Sequence, residues 1–572
     1  MENTPLFNLK IKGALSQIHP GIKICQETGE QFLIREEDIA FYKKMLVPAP
    51  IVAPWVRFRN LLAHGSPPDE LFKIKSTLSD KEIITNIDPK PNMPVYSEEE
   101  WFSDVWDAAD YGITYNFAQG FFEQFHALRL QVPRACKLPD AGSVNSPWAI
   151  GGVHLKNCYM VSAGLESENI LYSASVIKSR DSMEIFFSDN CELGYQLFQC
   201  KYCYKSSFLD SCENCINCTF GFDLKNCENC FGCVNLRHKK YNFFNKQLTK
   251  DEYEKRLKDI DLGSRKESNQ WQKEFAKFYK NNAVRENLQL KNTQNVIGDN
   301  SVECNSCYDC YDSYNIQDSA YVFRGMNVRD SYDIMGGYNV EKCIGLCAAD
   351  AYNGKYCTEA IYNSSNLEYC ELCYNSENCF GCVGLRNKKF HILNKQYSEQ
   401  EYWQLVDKIK CDMLKRGEYG QILPLKYLIY GYNLTWANII FPIAEDKAMT
   451  MKLPWHTQEI NPINQGTEAL SLPDNIKDAK ADIIGKILIC SETKRLFKIV
   501  EQEFDFYKKM NLPLPISHFL VRRKKLYKKL RIPKLINSNC TRCNKQILIR
   551  GPIEAQTAKN VCSDCYLKII TS

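Results

Sequence analysis

Residues 191–234 read CELGYQLFQCKYCYKSSFLDSCENCINCTFGFDLKNCENCFGCV. Every third position is small or aliphatic: Cys191, Gly194, Leu197, Cys200, Cys203, Ser206, Leu209, Cys212, Cys215, Cys218, Gly221, Leu224, Cys227, Cys230 and Cys233. The phase runs back to Gly152 and on to Leu236 without one charged residue, and nothing on it is larger than Leu or Ile. The positions between are mostly Asn, Asp, Glu, Lys, Tyr and Ser. A helix would repeat at about 3.6 residues and a half-buried strand at two. The many Gly, Asn, Ser and β-branched residues also argue against helix. A period of three fits a solenoid of very short strands, each followed at once by a corner. A coil of twelve residues then points four small side chains into a narrow bore. Cys191, Cys203, Cys215 and Cys227 stack in it, at a strand spacing of about 4.8 Å.

The pattern returns in phase from Ser301 through Cys304, Cys307, Cys310, Ser313 and Ile316 to Ala349, breaks near Tyr352 and Lys355, and resumes from Ile361 to Cys382. The offset is constant at 149, with 17 identities in the 28 positions 226–253, including Cys-Phe-Gly-Cys-Val and Asn-Lys-Gln. Internal repeats of this kind fix the architecture before anything else. A second duplication brackets the chain. Cys25, Thr28, Phe32, Ile34, Phe41-Tyr-Lys-Lys-Met45, Pro48 and Pro50 recur 465 residues later as Cys490, Thr493, Phe497, Ile499, Phe506-Tyr-Lys-Lys-Met510, Pro513 and Pro515.

The expected fold is mainly β: two narrow β-solenoids with helical caps and linkers and a C-terminal zinc ribbon. The expected domains are a degenerate knuckle module at 1–65, a linker and helical cap at 66–150, solenoids at 151–240 and 299–390, a helical linker at 241–298, a helix with irregular packing at 391–480, a second degenerate knuckle with a basic tail at 481–535, and the ribbon at 536–572. Ser97 with Glu100 forms a capping box, as do Thr249 with Glu252 and Ser398 with Glu401. Trp101, Trp106, Phe121, Phe122 and Phe125 are expected to plug the first solenoid. Trp271, Phe275 and Phe278 mark a helix expected to bridge the two.

Net charge is +4 over 572 residues, so charge acts locally. Neither a signal-type apolar stretch nor a run of eighteen apolar residues is present, so a cytoplasmic protein with no membrane partner is expected, its thiols reduced. Of 28 cysteines, ten lie in each solenoid. Their Cys-x-x-Cys spacings admit a metal store, but Ser, Gly, Val and Ile share the same lattice, which favours a ladder of small buried thiols.

Cys540 and Cys543, then Cys562 and Cys565, are two knuckles offering four thiolates, the donor set of one structural zinc. Such a closed site leaves no position open for catalysis. Arg522, Arg523, Lys524, Lys525, Lys528 and Lys529 lead into it and form a candidate phosphate or nucleic-acid contact. No Gly-rich phosphate loop, His-Glu-x-x-His or Gly-x-Ser-x-Gly occurs, and the sequence singles out no small-molecule substrate. The leading reading is a non-catalytic scaffold that binds protein or nucleic acid. The alternatives are a thiol-rich metal-handling or redox protein and a carbohydrate-active solenoid enzyme.

Trp106-Asp107, Tyr111-Gly112, Phe121-Phe-Glu-Gln-Phe125, the two Cys-Phe-Gly-Cys-Val motifs, Gly417-Glu-Tyr-Gly420 and the Phe-Tyr-Lys-Lys modules together resemble an uncharacterised bacterial family of cysteine-rich solenoid and zinc-ribbon proteins. The resemblance covers nearly the whole chain. Some members carry a CoA-transferase label of the CaiB/BaiF type, and the solenoid lattice leaves no room for that α/β fold. The resemblance implies that the bracketing modules are zinc knuckles that have lost ligands, with Cys25, Thr28, Ala53 and Val56 in one and Cys490, Thr493, His518 and Val521 in the other. The inward pattern also resembles small cysteine-threaded antifreeze solenoids, from which the outward residues differ.

Overall fold

The period of three is a period of corners. In the computed structural model, which describes residues 3–137, 142–358, 361–457, 466–552 and 558–571, a left-handed residue recurs at every third position from His154 to Phe244, with Gly232 completing the series. Asn157, Asn169, Asn190, Asn214 and Asn226 have φ of 52–55°. Asn tolerates this region because its short amide hydrogen-bonds locally. Phe187, Phe208 and Phe220 adopt it too, at φ of 52–56°, a strained choice that persists because the surrounding ladder over-determines it.

Between corners the chain runs in short strands, each parallel to the strand twelve residues on. Gly194 pairs with Ser206, Leu197 with Leu209, Leu209 with Gly221 and Gly221 with Cys233. Inward side chains such as Ile170, Val176, Leu197, Cys200, Cys215 and Leu224 are fully buried and form one continuous core. Outward corner amides stack in register: Asn145 donates to Asn157 at 2.8 Å, Asn157 to Asn169 at 3.2 Å and Asn169 to Asp181 at 2.8 Å. This first ladder begins by Val144, which bridges to Lys156, several residues ahead of the expected start.

The second ladder is built alike and also begins early, with Leu290 paired to Ser301. At its irregularity Val340 pairs with Ala351, eleven residues on, and Ala351 with Ser364, thirteen on. Each ladder ends in an antiparallel hairpin, Phe243 with Lys246 and Ile392 with Lys395. The two-residue loops, Phe244-Asn245 and Leu393-Asn394, have positive φ throughout, the geometry of a tight hairpin turn.

Among the described residues strand is only somewhat more abundant than helix, and the strands fall in eight separate sheets. The expectation of a mainly β chain is therefore corrected to a mixture, because thirteen α-helices accompany the ladders among the described residues. Three of the helices start behind the expected side-chain caps: Thr249 before Lys250–Lys258, Ser398 before Glu399–Arg416 and Ser97 before Glu98–Phe102.

The chain divides into two units. Residues 139–287, 457–531 and 536–572 hold the first ladder, and residues 1–138, 288–456 and 532–535 hold the second. In the former, helix Arg265–Asn282 lays Trp271 and Phe275 on Phe231 and Phe220 of the first ladder. In the latter, Trp101 meets Tyr374 at 5.5 Å and Phe121 meets Phe380 at 5.3 Å. Thus the aromatic segment at 101–125 covers the second ladder and not, as expected, the first. Chain proximity suggested the first, and the stacking partners that decide it lie far off in sequence.

The two units share one buried polar arrangement. Arg57 meets Asp333 at 2.8 Å while Tyr321 donates to Asp38 at 3.0 Å. At the positions equivalent by both duplications, Arg522 meets Glu184 at 2.5 Å and Tyr172 donates to Glu503 at 2.8 Å. Each module of the bracketing pair is therefore docked on a ladder through one paired guanidinium.

Candidate metal centre

Cys540, Cys543, Cys562 and Cys565 come together at the C-terminal end, their donor atoms all within 4.8 Å of one another. Strands Arg531–Asn539 and Gln546–Pro552 flank the first knuckle, and Cys562 is the N-cap of helix Ser563–Ile570, with Cys565 one turn in. The backbone builds the knuckle: Cys540 N donates to Lys545 O at 2.8 Å, Asn544 N to Cys540 O at 2.9 Å and Thr541 N to Asn560 O at 2.9 Å. Asn544 sits in the left-handed region at φ 60°. None of the four thiols is bridged, and only Cys543 is exposed.

Four thiolates around a zinc-sized ion at about 2.3 Å lie about 3.8 Å from one another. Cys543 Sγ and Cys562 Sγ are 3.6 Å apart, so the residues fit such an ion. Burial opposes ionisation of Cys540, yet N–H groups of Cys562, Cys543 and Arg542 directed at its sulfur outweigh it and hold the thiol down at about 6. Burial and the neighbouring thiols push Cys565 up to about 12. Four thiols this close do not all ionise without a cation between them.

The same frame occurs three more times. In strands Gly21–Ile24 and Gln31–Ile34 with helix Pro54–His64, Cys25 N donates to Glu30 O, Gly29 N to Cys25 O and Gln26 N to Ile51 O, all at 2.8–3.0 Å. In strands Leu488–Ile489 and Leu496–Phe497 with helix Phe519–Tyr527, the same bonds join Cys490 to Arg495, Lys494 to Cys490 and Ser491 to Ile516. In strands Phe72–Lys75 and Glu82–Thr85 with helix Glu98–Phe102, they join Ser76 to Lys81, Asp80 to Ser76 and Thr77 to Val95. Gly29, Lys494 and Asp80 are left-handed, as Asn544 is.

The four ligand positions are filled differently each time. At Cys25, Thr28, Ala53 and Val56, the Ala53 N–H donates to the Cys25 sulfur at 3.3 Å. At Cys490, Thr493, His518 and Val521, the His518 N–H does the same to Cys490 at 3.2 Å, and the ring Nδ1 of His518 accepts from Leu520 N at 3.2 Å. Burial, with Arg495, Arg522 and Lys524 nearby, holds that imidazole down at about 3. At Ser76, Ser79, Ser97 and Glu100 a hydrogen-bonded cluster stands where the thiols stand. Ser76 Oγ and Ser97 N donate to Glu100 Oε2 at 2.5 and 2.8 Å, and Glu100 N donates back to Ser97 Oγ at 3.2 Å. Burial opposes its ionisation, yet the hydroxyls of Ser76 and Ser79 and the Ser97 N–H draw the Glu100 carboxyl down to about 2.

This fourth copy lies in residues 66–96 and the helix after them, which the sequence reads as a proline-punctuated linker and cap. It has no cysteine to advertise it. The signal that could have found it is Ser-x-x-Ser followed by a turn residue, then a capping box at the spacing of the second knuckle.

The basic run divides into buried and exposed members. Arg522 lies between Glu184 and Glu503, at 2.5 and 3.2 Å, and Arg523 donates to the carbonyls of Met160 and Ser173 at 2.7 and 3.4 Å. Neither faces solvent as a phosphate contact requires. Lys525 meets Glu492 at 2.7 Å and Lys529 stands 3.6 Å from Asp210. Lys524 and Lys528 are exposed.

The ladder thiols are engaged in the ladder itself. Cys218 Sγ donates to Ile216 O at 3.4 Å and Cys227 O at 3.6 Å. Ser206 Oγ donates to Tyr204 O at 3.0 Å and accepts from Cys218 N at 3.1 Å. Cys212 accepts from Leu224 N in the same manner, at 3.4 Å. An inward Ser or Cys thus satisfies the N–H of the residue twelve positions on, which explains why either one suits these positions.

Among the described residues no helix is long and apolar enough to cross a membrane. No protein-family model matches the chain, and no curated protein matches it.

Proposed function

We propose that the protein is a non-catalytic scaffold whose two ladders are narrow β-solenoids of twelve-residue coils, each carrying two hairpin–helix frames, and that the frame of Cys540, Cys543, Cys562 and Cys565 holds one structural zinc. The observation that carries this reading is the convergence of Cys540, Cys543, Cys562 and Cys565 in a frame whose three relatives close without four thiols. A tetrahedral thiolate site supplies folding energy and no open coordination position. Protein or nucleic acid is the partner this reading expects, through the cationic face that Lys524 and Lys528 give to the C-terminal part of the chain.

Elemental analysis of purified protein, with a thiol count, tests it. About one zinc per chain is expected, and many equivalents would instead favour metal storage in the ladders. Chelation is expected to make residues 531–571 protease-sensitive while the ladders stay resistant. Binding to a generic oligonucleotide that falls steeply with salt supports nucleic acid as partner; undetectable binding at low salt removes it.

A further inference from the structure

A cleft of about 600 Å³ opens beside the first ladder, between helix Arg265–Asn282 and helix Phe519–Tyr527. It belongs wholly to one unit, and none of the four thiols lines it. Its floor is aromatic. Phe208 stacks on Phe220 at 4.7 Å, and Phe222 meets Tyr279 edge-on at 5.0 Å.

Its charges do not balance. Among the cations lining it, Arg522 is neutralised by Glu184 and Glu503, Lys525 by Glu492, and Lys529 faces Asp210 at 3.6 Å. Asp210 is the only carboxylate in the lining. Arg285, on strand Val284–Glu286, is left over. It is only 8% exposed, and its Nε is buried with no hydrogen-bond partner. Its guanidinium stands 5.6 Å from the Phe222 ring, and no ion pair holds it among the described residues. A buried cation without a counter-charge is costly and is rarely retained without an anion to meet.

We infer that this cleft is a binding site for a small aromatic phosphate of mononucleotide size, its ring on the phenylalanine floor and its phosphate on Arg285. The size falls within the range of small-ligand sites. A bare inorganic anion would leave the aromatic floor unused. An uncharged aromatic compound would leave Arg285 unpaired. The guanidinium fork suits a phosphate, and Lys528 also lines the cleft. The inference goes beyond the scaffold reading.

The test is a fluorescence titration of the full chain with TNP-AMP, followed by displacement. Saturable binding is expected, with displacement by AMP and phenyl phosphate and at least tenfold weaker displacement by adenosine and by inorganic phosphate. A short single-stranded oligonucleotide displacing the probe more tightly than AMP assigns the nucleotide to a strand, and AMP displacing more tightly assigns it to a free metabolite. Arg285→Gln is expected to weaken binding at least tenfold, and Arg285→Lys less. If Arg285→Gln does not fold, Lys528→Glu on the exposed rim provides the second measurement, with a several-fold loss expected. No saturable binding to folded protein, equal displacement by inorganic phosphate and AMP, or unchanged affinity in the folded charge variants would overturn the assignment.

Discussion

Two frames of the same backbone, residues 72–102 and residues 531–570, are closed by opposite means. In the first, Glu100 gathers the hydroxyls of Ser76 and Ser79 and the backbone of Ser97. In the second, four sulfurs face one another across a space of ionic size. The hairpin bonds, the left-handed residue after the knuckle and the helix N-cap are common to both. The backbone therefore does not dictate the metal. Four side chains decide whether the core of the frame is held by ligand bonds or by hydrogen bonds.

The strongest way to break that comparison is to exchange the side chains. The variant S76C/S79C/S97C/E100C is expected to bind one metal equivalent more than the wild type, measured by elemental analysis. Its metal-free form should be destabilised, since structural zinc contributes on the order of 10 kcal/mol to small sites of this kind. A variant that folds and takes up no extra metal would show that the two frames are not equivalent.

A smaller effect, about 1–3 kcal/mol of lost stability, is expected from Glu100→Ala, which removes the carboxylate that accepts from Ser76 Oγ and Ser97 N. Acid should reproduce part of it. The folded carboxyl titrates near 2 and the unfolded one near 4.5, so its contribution is complete above pH 4.5 and is lost as the pH falls towards 2. Denaturant melts of wild type and Glu100→Ala should converge across that window. Parallel curves would remove the carboxylate from the account.

The bracketing pair offers a third contrast, Ala53 against His518 at one position. The His518 ring is held neutral, with a folded value near 3 against 6.5 when unfolded. Its contribution is therefore present above pH 6.5 and lost as the pH falls towards 3. His518→Ala should flatten the pH dependence of its unit over that range. His64 is also held down at about 3 in the other unit, by burial and the nearby Arg129, so the slope of that unit should persist in His518→Ala.

The smallest effect is expected within the ladder. Cys212→Ser should change stability by less than about 1 kcal/mol, because a hydroxyl can take the Leu224 N–H as the thiol does. Cys212→Val, which is similar in volume but leaves that N–H unmet, should cost about 1–3 kcal/mol. Thermal unfolding would separate the two, and equal losses would mean that bulk alone governs the site.

The inward lattice was legible in the sequence because one coil repeats one pattern many times, from Leu155 to Leu236. The thiols at 540–565 were legible because the ligand spacing is local within each knuckle. The frame at 72–102 was not, since Ser and Glu serve many other purposes and only the backbone shows what they replace. Arg522 and Arg523 misled for a related reason. A run of cations is the same string whether it faces water or meets Glu184 and Glu503, and those carboxylates reside in distant segments. The cleft around Arg285 was hidden likewise, because three separate segments line it.

The short coil beside the long one in the second ladder has its own lesson. Val340 steps eleven residues to Ala351, and Ala351 steps thirteen to Ser364, so the errors cancel and Leu367 and Cys370 are back in phase. The ladder behaves as a ruler with fixed graduations. A lone deletion would turn every later inward residue towards water, whereas a paired gain and loss, or the insertion of an entire storey, leaves the remainder untouched. Such a chain can lengthen or shorten over evolutionary time only in whole storeys, keeping its terminal hairpin and the motif after it intact while their height above the base changes.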